Sequence, residues 1–320
     1  MKMGLDRRPL APGDAGDWVA LLNAIEDADG SDDYSSEEDL QEYFGSPNHD
    51  FPRGSVAIYD GRTMVGYGVL TFRDIADPAH TMLHQGGVHP SYRGRGLGRE
   101  LLDWAEHASL PLHEQRFPGR PLSLSSGCLS TNAGAVALHE QRGYRPVRWF
   151  HDMVRDLSQP IPAAVTDDGI TITGYRPDLA EPARLIRNES FRDHWGSTET
   201  SPQAWAHFLA ADAFRPGLSF LAYQGSEPLG MLMSRENQAY QQRTGRRDLH
   251  IALVGTRAAG RKRGIATALL MTAMSAARAN GYDRASLGVD ADSLTGAVRL
   301  YERAGFTVAQ TWTAYRKQLT

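Results

Sequence analysis

Two segments of the chain carry the same pattern of apolar and polar positions. In one, Ala266, Leu269, Leu270, Ala273, Met274 and Ala277 fall on one face at helical spacing; in the other, Leu97, Leu101, Trp104, Ala105 and Ala108 do so. An apolar or β-prone run precedes each, TMLHQGGV at 81–88 and LHIALVGT at 249–256. Each copy therefore reads strand, loop, helix. A second matched pair follows in the same order, AVALHEQRGY at 135–144 and AVRLYERAGF at 297–306. Two blocks repeated in order point to a duplicated domain.

Further elements fit a mixed α/β plan in each half. Helices are expected at 17–26, 36–44, 179–187 and 202–211, several opened by Ser, Asp or Pro. AIYDGRTMVGYGVLTF predicts a hairpin turning on Asp60-Gly61, and FLAYQGSEPLGMLMS predicts its counterpart turning near Gly225. The segment SQPIPAAVTDDG at 158–169, with two prolines and a polar end, is the expected linker. The domains expected from these signals are 1–157 and 168–320.

Composition narrows the function. At 320 residues the chain is long for one core and comfortable for two. Hydrophobic residues at 41% and charged residues at 22% are ordinary for a soluble globular protein. A net charge of -4 disfavours nucleic acid and anionic membranes as partners. Only one cysteine, Cys128, is present, so no internal disulfide forms, which fits a reducing cytoplasm. The N-terminus has no apolar secretory core, and no apolar run approaches the ~20 residues of a membrane-spanning helix.

The candidate chemistry lies in the two loops, YRGRGLGREL at 92–101 and GRKRGIATALL at 260–270. A helix start leaves backbone N–H groups without partners and carries partial positive charge. Glycines there let an anion approach closely, and arginines pair with phosphate. Arg93, Gly94, Arg95, Gly96, Leu97 and Gly98, and likewise Arg261, Lys262, Arg263, Gly264, Ile265 and Ala266, read as a diphosphate cradle; the alternative is a surface turn that only bends the chain. GTRAAGRK has the glycine spacing of a P-loop, but Arg261 stands where its Lys belongs and the Ser/Thr is missing. GRGLG does not match the G-x-G-x-x-G of a dinucleotide fold.

GGVHPSYRGRGLGRELL resembles the acetyl-CoA-binding motif of the GNAT acyltransferase superfamily, V-x-P-x-x-R/Q-x-x-G-x-G/A, and AVRLYERAGF resembles that superfamily's next motif. Both occur in both halves. The resemblance implies tandem domains, each a mixed, mostly antiparallel sheet flanked by helices, and an N-acetyltransferase using acetyl-CoA on the primary amine of a small molecule. The layout is also similar to the tandem members that acetylate a cysteinyl amino-sugar, the mycothiol synthases; a non-catalytic CoA-binding module is a further alternative. The second copy departs from the motif, with Thr256-Arg257-Ala258 in place of Val-x-Pro and no counterpart of Asn132.

The resemblance further implies that Val254, Gly255 and Thr256, and in the first half Gly87 and Val88, hold the cofactor arm through their backbone. It gives Tyr301 the role of acid toward the departing thiolate, where the first half has His139. The first half is accordingly expected to be degenerate and the second catalytic. Strand alternation predicts His250, Ala252, Val254 and Thr256 on one face, making His250 a candidate base. Tyr301 as a core aromatic and His250 as an ordinary strand histidine are the alternatives. Phe191, His194 and Trp195 are candidate acceptor contacts, or else a staple between helices, and the acidic run at 26–39 is a second attractor for a cationic acceptor or a solvated loop. His80, His84 and His89 lack acid or cysteine partners at metal spacing, so no metal is expected. Cys128 reads as a small core residue. A monomer or homodimer is expected.

Overall fold

The computed structural model describes residues 4–72, 76, 79–167, 169–192, 199–292 and 296–320. Contacts divide the chain into two compact units, Met1–Phe150 with Gln310–Thr320, and His151–Ala309. In chain order the first half forms β1 (Asp6–Arg8), α1 (Ala15–Asp29), α2 (Glu37–Phe44), α3 (Phe51–Gly54), β2 (Ser55–Asp60), β3 (Thr63–Thr71), β4 (His80–Val88), α4 (Leu97–Arg116), β5 (Leu122–Leu129), α5 (Ala133–Gln141) and β6 (Arg145–Asp156). The second forms β7 (Ile170–Gly174), α6 (Ala180–Ser190), α7 (Pro202–Ala210), β8 (Phe220–Gln224), β9 (Glu227–Glu236), α8 (Gln238–Thr244), β10 (Asp248–Thr256), α9 (Ile265–Ala279), β11 (Arg284–Asp290), α10 (Ala297–Arg303) and β12 (Thr307–Gln318). Among the described residues no helix is long and apolar enough to cross a membrane.

Local chemistry accounts for most of these elements. Both hairpins turn on the expected glycines, Gly61 at φ 60° and Gly225 at φ 59°, a region that side-chain-bearing residues rarely enter. Ser36 caps α2 by accepting from the Asp39 N–H, while the Asp39 carboxylate accepts from the Ser36 N–H. Ser201 caps α7 ahead of Pro202. The short β1, α3 and α8 lack a periodic signal and are visible only in the fold.

In the first unit the strands run β1-β2-β3-β4-β5 and then the C-terminal part of β12. β4 and β5 are parallel and the other neighbours with resolved register are antiparallel. The second unit repeats the plan in the order β7-β8-β9-β10-β11, ending on the β6 residues from His151 onward, with β10 and β11 parallel. The expected linker at 158–169 lies inside the second unit, and β12, expected in the second domain, lends its last residues to the first. Seven consecutive pairs, Trp312↔Leu129 to Gln318↔Ser123, hold it there. A strand joins whichever edge satisfies its ladder, whatever its distance in sequence.

Each sheet is covered on both faces. In the first unit Leu102, Ala105 and Leu112 of α4 pack on Leu70, Met82, Leu122, Leu124, Tyr144 and Tyr315, while Trp18 and Leu40 of α1 and α2 pack on Tyr59 and Val69. In the second, α9 and Tyr301 cover Leu249, Ile251, Ala285 and Leu287, and α6 and α7 cover Leu221, Met231 and Met233. Cys128 is buried and free, and burial pushes its thiol up to about 11, the behaviour of a core residue.

Tyr315 is 3% exposed and stacks on His139 with ring centroids 4.8 Å apart. Tyr315→Ala should therefore lower stability by about 3–5 kcal/mol. Hydrogen exchange should show the loss in β5 of the first unit and leave β9 and β10 protected.

Candidate active site

The parallel strand pair in each unit parts after a short run. β4 pairs with β5 only from His80 to His84, and β10 with β11 only from Asp248 to His250. Beyond those points Gln85–Val88 and Leu253–Thr256 keep their antiparallel neighbour but present one backbone edge to a cleft. Unpaired peptide groups in a row suit an extended ligand that carries amides of its own. Gly87, Val88, Val254, Gly255 and Thr256 all lie on these edges.

Just past each edge the backbone makes the same excursion. Gly94 and Gly96 have φ of 74° and 90°; Lys262 and Gly264 have 63° and 75°. Lys262 holds a left-handed conformation that costs a non-glycine residue about 1 kcal/mol or more, so the loop shape is imposed from outside that residue. Gly96 and Gly264 are the N-caps of α4 and α9, and neither helix has a side-chain cap. The first N–H groups of two long helices, at Leu97–Gly98 and Ile265–Ala266, are left for an anion.

The charges around the two loops differ. Arg93 makes a bidentate pair with Asp29, at 2.7 and 2.9 Å, and its Nε donates to the Val88 carbonyl. Arg95 donates to the Ser91 carbonyl and lies over the Tyr92 ring. Arg263 is paired with Asp167 at 3.1 Å. Among the described residues Arg261 and Lys262 make no ion pair, whereas Arg93 of the first loop is committed to a carboxylate.

His250 stands at the last paired position, where β10 and β11 part. Its Nδ1 is 3.1 Å from Ser286 Oγ, which donates at 2.7 Å to the Asp248 carboxylate; Asp248 is paired with Arg284 at 3.4 Å. A carboxylate only accepts, so the serine proton points to Asp248 and Ser286 Oγ must accept from His250 Nδ1–H. That fixes Nε2 as the lone-pair nitrogen of the neutral ring. Ser286, Asp248 and Arg284 were not legible as partners, because their pairing needs the register of two strands distant in sequence.

The strand face assigned to His250 needs correction. A register shift between Ile251 and Leu253 makes Ala252 a bulge, so alternation breaks there. His250 shares its face with Leu253 and Gly255, while Val254 and Thr256 lie with Ile251 on the α9 face. On the His250 face, a Cβ at Gly255 would lie 3.0 Å from Ser190 Oγ and 3.4 Å from Phe191 Cε2. Phe191 therefore does approach the cleft, together with Ser190, which sequence reasoning missed. Glu189 ties this end of α6 to the loop by accepting from Arg257 Nε at 2.7 Å and the Ala258 N–H at 3.2 Å. His194 and Trp195 lie outside the described residues.

Tyr301 comes from the other side. It is 8% exposed in the cluster with Leu249, Ile251 and Leu287, and burial pushes its phenol up to about 12, so it stays protonated at any working pH. His250 and Tyr301 thus approach the parted strands from opposite faces of the sheet. In the first unit His139 takes the Tyr301 position, and its Nε2 is 3.0 Å from Ser126 Oγ. His80 is partnered by His113, and His89 caps the turn at Pro90–Tyr92.

A family model described as acetyltransferase (GNAT) family matches residues 18–144 and 182–306. A mycothiol acetyltransferase of Salinispora arenicola is 29% identical over 96% of this chain and 93% of its own, and one of Thermobispora bispora 28% over 92% and 93%. Among solved structures, a GCN5-related N-acetyltransferase from Sphaerobacter thermophilus superposes with a TM-score of 0.80 at 28% identity, covering 98% of this chain and 96% of that one. A tandem GNAT protein from the clavulanic acid biosynthesis pathway shares the fold, with a TM-score of 0.71 at 16% identity over 99% of both chains.

Gly264→Val forces a β-branched residue to φ 75° at the mouth of α9. It should weaken acetyl-CoA binding by about a hundredfold in calorimetry, roughly the loss of one well-made phosphate contact. A pH effect also follows for the first unit. Burial lowers His84 from 6.5 to about 3 and also lowers His139. Because the folded value of His84 lies below the unfolded one, its stabilising contribution is complete above about pH 6.5 and is lost as pH falls toward 3, at about 1.4 kcal/mol per pH unit, and the lowered His139 acts in the same direction. In urea titrations at stepped pH, His84→Leu should remove one proton's worth of that slope.

Proposed function

The chain belongs to the GNAT family of acetyltransferases, and from that premise we propose that the second unit transfers the acetyl group of acetyl-CoA to the primary amine of a small molecule. The observation that carries this reading is His250 at the parting of β10 and β11, its tautomer set by Ser286 and Asp248 so that Nε2 can accept a proton. Acetyl-CoA would lie with its pyrophosphate on the N–H groups opening α9, beside Arg261 and Lys262, and with its arm along Val254–Thr256. The α9 mouth fits such a group: it has no cap of its own, and its N-cap glycine keeps a conformation closed to most side chains.

The amine approaches from the face of Gly255, Ser190 and Phe191. His250 Nε2 takes a proton as the nitrogen attacks the thioester carbon. The N–C bond forms, the C–S bond breaks, and the electron pair leaves on sulfur. Tyr301 donates a hydrogen bond to that sulfur. A phenol pushed up to about 12 is a weaker acid than a thiol, so it stabilises the developing thiolate without having to lose its proton outright. The free thiol and the amide are the products, and the proton taken from the amine balances the one the thiol gains.

Arg93 is held by Asp29, and His139 replaces the phenol, so the first unit is a supporting copy in this reading. A second reading takes the acceptor to be a cysteinyl amino-sugar, favoured by the two mycothiol acetyltransferase relatives matched over almost their full length. The lone buried cysteine suits a cytoplasmic enzyme, acting as a monomer or homodimer.

Tyr301→Phe and His250→Gln should each lower kcat about a hundredfold, with little change in KM for acetyl-CoA. Arg261→Gln should instead raise that KM about tenfold, whereas Arg93→Gln should leave it unchanged. Thiol release across a panel of amines, a cysteinyl amino-sugar among them, reads all four variants and identifies the acceptor. Unchanged turnover in His250→Gln would move the base elsewhere.

A further inference from the structure

The first unit keeps a buried polar chain at the parting of β4 and β5 that the reaction above does not use. His84 and Ser126 are the last paired residues of those strands, and His139 reaches them from α5. His139 Nδ1 is 2.8 Å from the Ala135 carbonyl, which only accepts, so Nδ1 carries the proton and Nε2 does not. Nε2, at 3.0 Å, must then accept the Ser126 hydroxyl proton. Ser126 Oγ in turn accepts from His84 Nδ1–H at 3.3 Å. The chain of donors ends at His84 Nε2, a buried lone pair with no hydrogen-bond partner among the described residues.

That nitrogen lies directly against the backbone of Gly86 on the open edge of β4. A Cβ at Gly86 would come within 2.8 Å of it, and Gly86 is an exposed residue just past the point where the strands part. The second unit has no such hydrogen-bonded chain at the corresponding positions. Gly127 and Gly288 are the exposed residues of β5 and β11, so Leu287 matches Ser126; Gly143 and Gly305 match Tyr301 to His139. The residue before the bulge, Ile251, matches His84. Ile251 and Leu287 are apolar core residues of one cluster, and Tyr301 beside them is the phenol that the transfer reaction uses. An apolar pair suffices for stability there, and burying a histidine and a serine in its place, with one nitrogen left unsatisfied, is the costlier choice.

We propose that the first unit binds the free thiol of a coenzyme A-type carrier, and that His84 distinguishes this thiol from its acetylated form. The proposal rests on reading the glycine–arginine loop as a diphosphate cradle, since the Gly94–Gly96 mouth of α4 would anchor the carrier's pyrophosphate. With the anchor there, the arm follows the open edge of Gln85–Val88 and its tip reaches the end of the cleft at His84. A thiol brings one S–H, a donor for the bare Nε2. A thioester brings only acceptors, and its carbonyl oxygen would meet the lone pair with like charge. The site therefore favours the product of the transfer reaction over its substrate.

The test uses the full-length protein and three ligands: CoA, acetyl-CoA, and the S-methyl thioether of CoA, which lacks the S–H without adding a carbonyl. Calorimetry should show two sites for CoA, one of which binds the thioether and acetyl-CoA at least about tenfold more weakly, or about 1.4 kcal/mol. His84→Leu should abolish that preference and leave acetyl transfer intact. Should the variant not fold, nitrogen NMR of the wild-type histidines decides: the His84 Nε2 resonance should move with CoA and stay with the thioether. A single site for CoA, two sites blind to the S–H, or a His84 signal unmoved at saturating CoA overturns the inference and leaves the second-unit reading standing. Absence of binding by all three ligands would sink both.

Discussion

Two parallel strands that share only a few residue pairs before they separate set the terms for everything else in each unit. While β10 and β11 run together, their peptide groups satisfy one another; once they part, one edge of β10 is left with donors and acceptors and no strand to meet them. A folded protein tolerates such an edge only where a ligand or solvent completes it. The parting also brings side chains from both faces of the sheet to one opening. His250 arrives from the strand itself and Tyr301 from the helix that follows β11, and the α9 mouth lies just beyond the edge.

The duplicated loops show how one backbone device acquires two electrostatic characters. Both copies spend left-handed residues to bare the first amides of a helix, and the second holds Lys262 there in place of glycine. In the first copy Asp29, the last residue of α1, claims Arg93 with both carboxylate oxygens. In the second, Glu189, one residue before the end of α6, takes Arg257, and among the described residues Arg261 and Lys262 are left without a carboxylate. The same division recurs at the bottom of the cleft, where one unit has a hydrogen-bonded His–Ser–His chain and the other has Tyr301 beside two apolar residues, Ile251 and Leu287.

The sequence by itself determined the repeat, the strand–loop–helix order, the hairpins on Gly61 and Gly225, the principal helices and the glycine-bearing loops that open α4 and α9. These are local: a helical period, a turn glycine or an N-terminal cap is written within a few residues. Tyr301 is singled out through the resemblance of AVRLYERAGF to a family motif. Only the tertiary structure decided the rest. The bulge at Ala252 turns His250 to the face opposite Val254, and no composition signal marks a bulge that one extra residue creates against a partner strand. The Asp248–Ser286–His250 chain depends on the register of strands more than thirty residues apart. The transfer of β12's end to the first unit depends on which sheet edge had an unsatisfied ladder. Alternation along one strand is a two-body rule; bulges, cross-strand relays and exchanged edges arise only when several strands compete for the same hydrogen bonds.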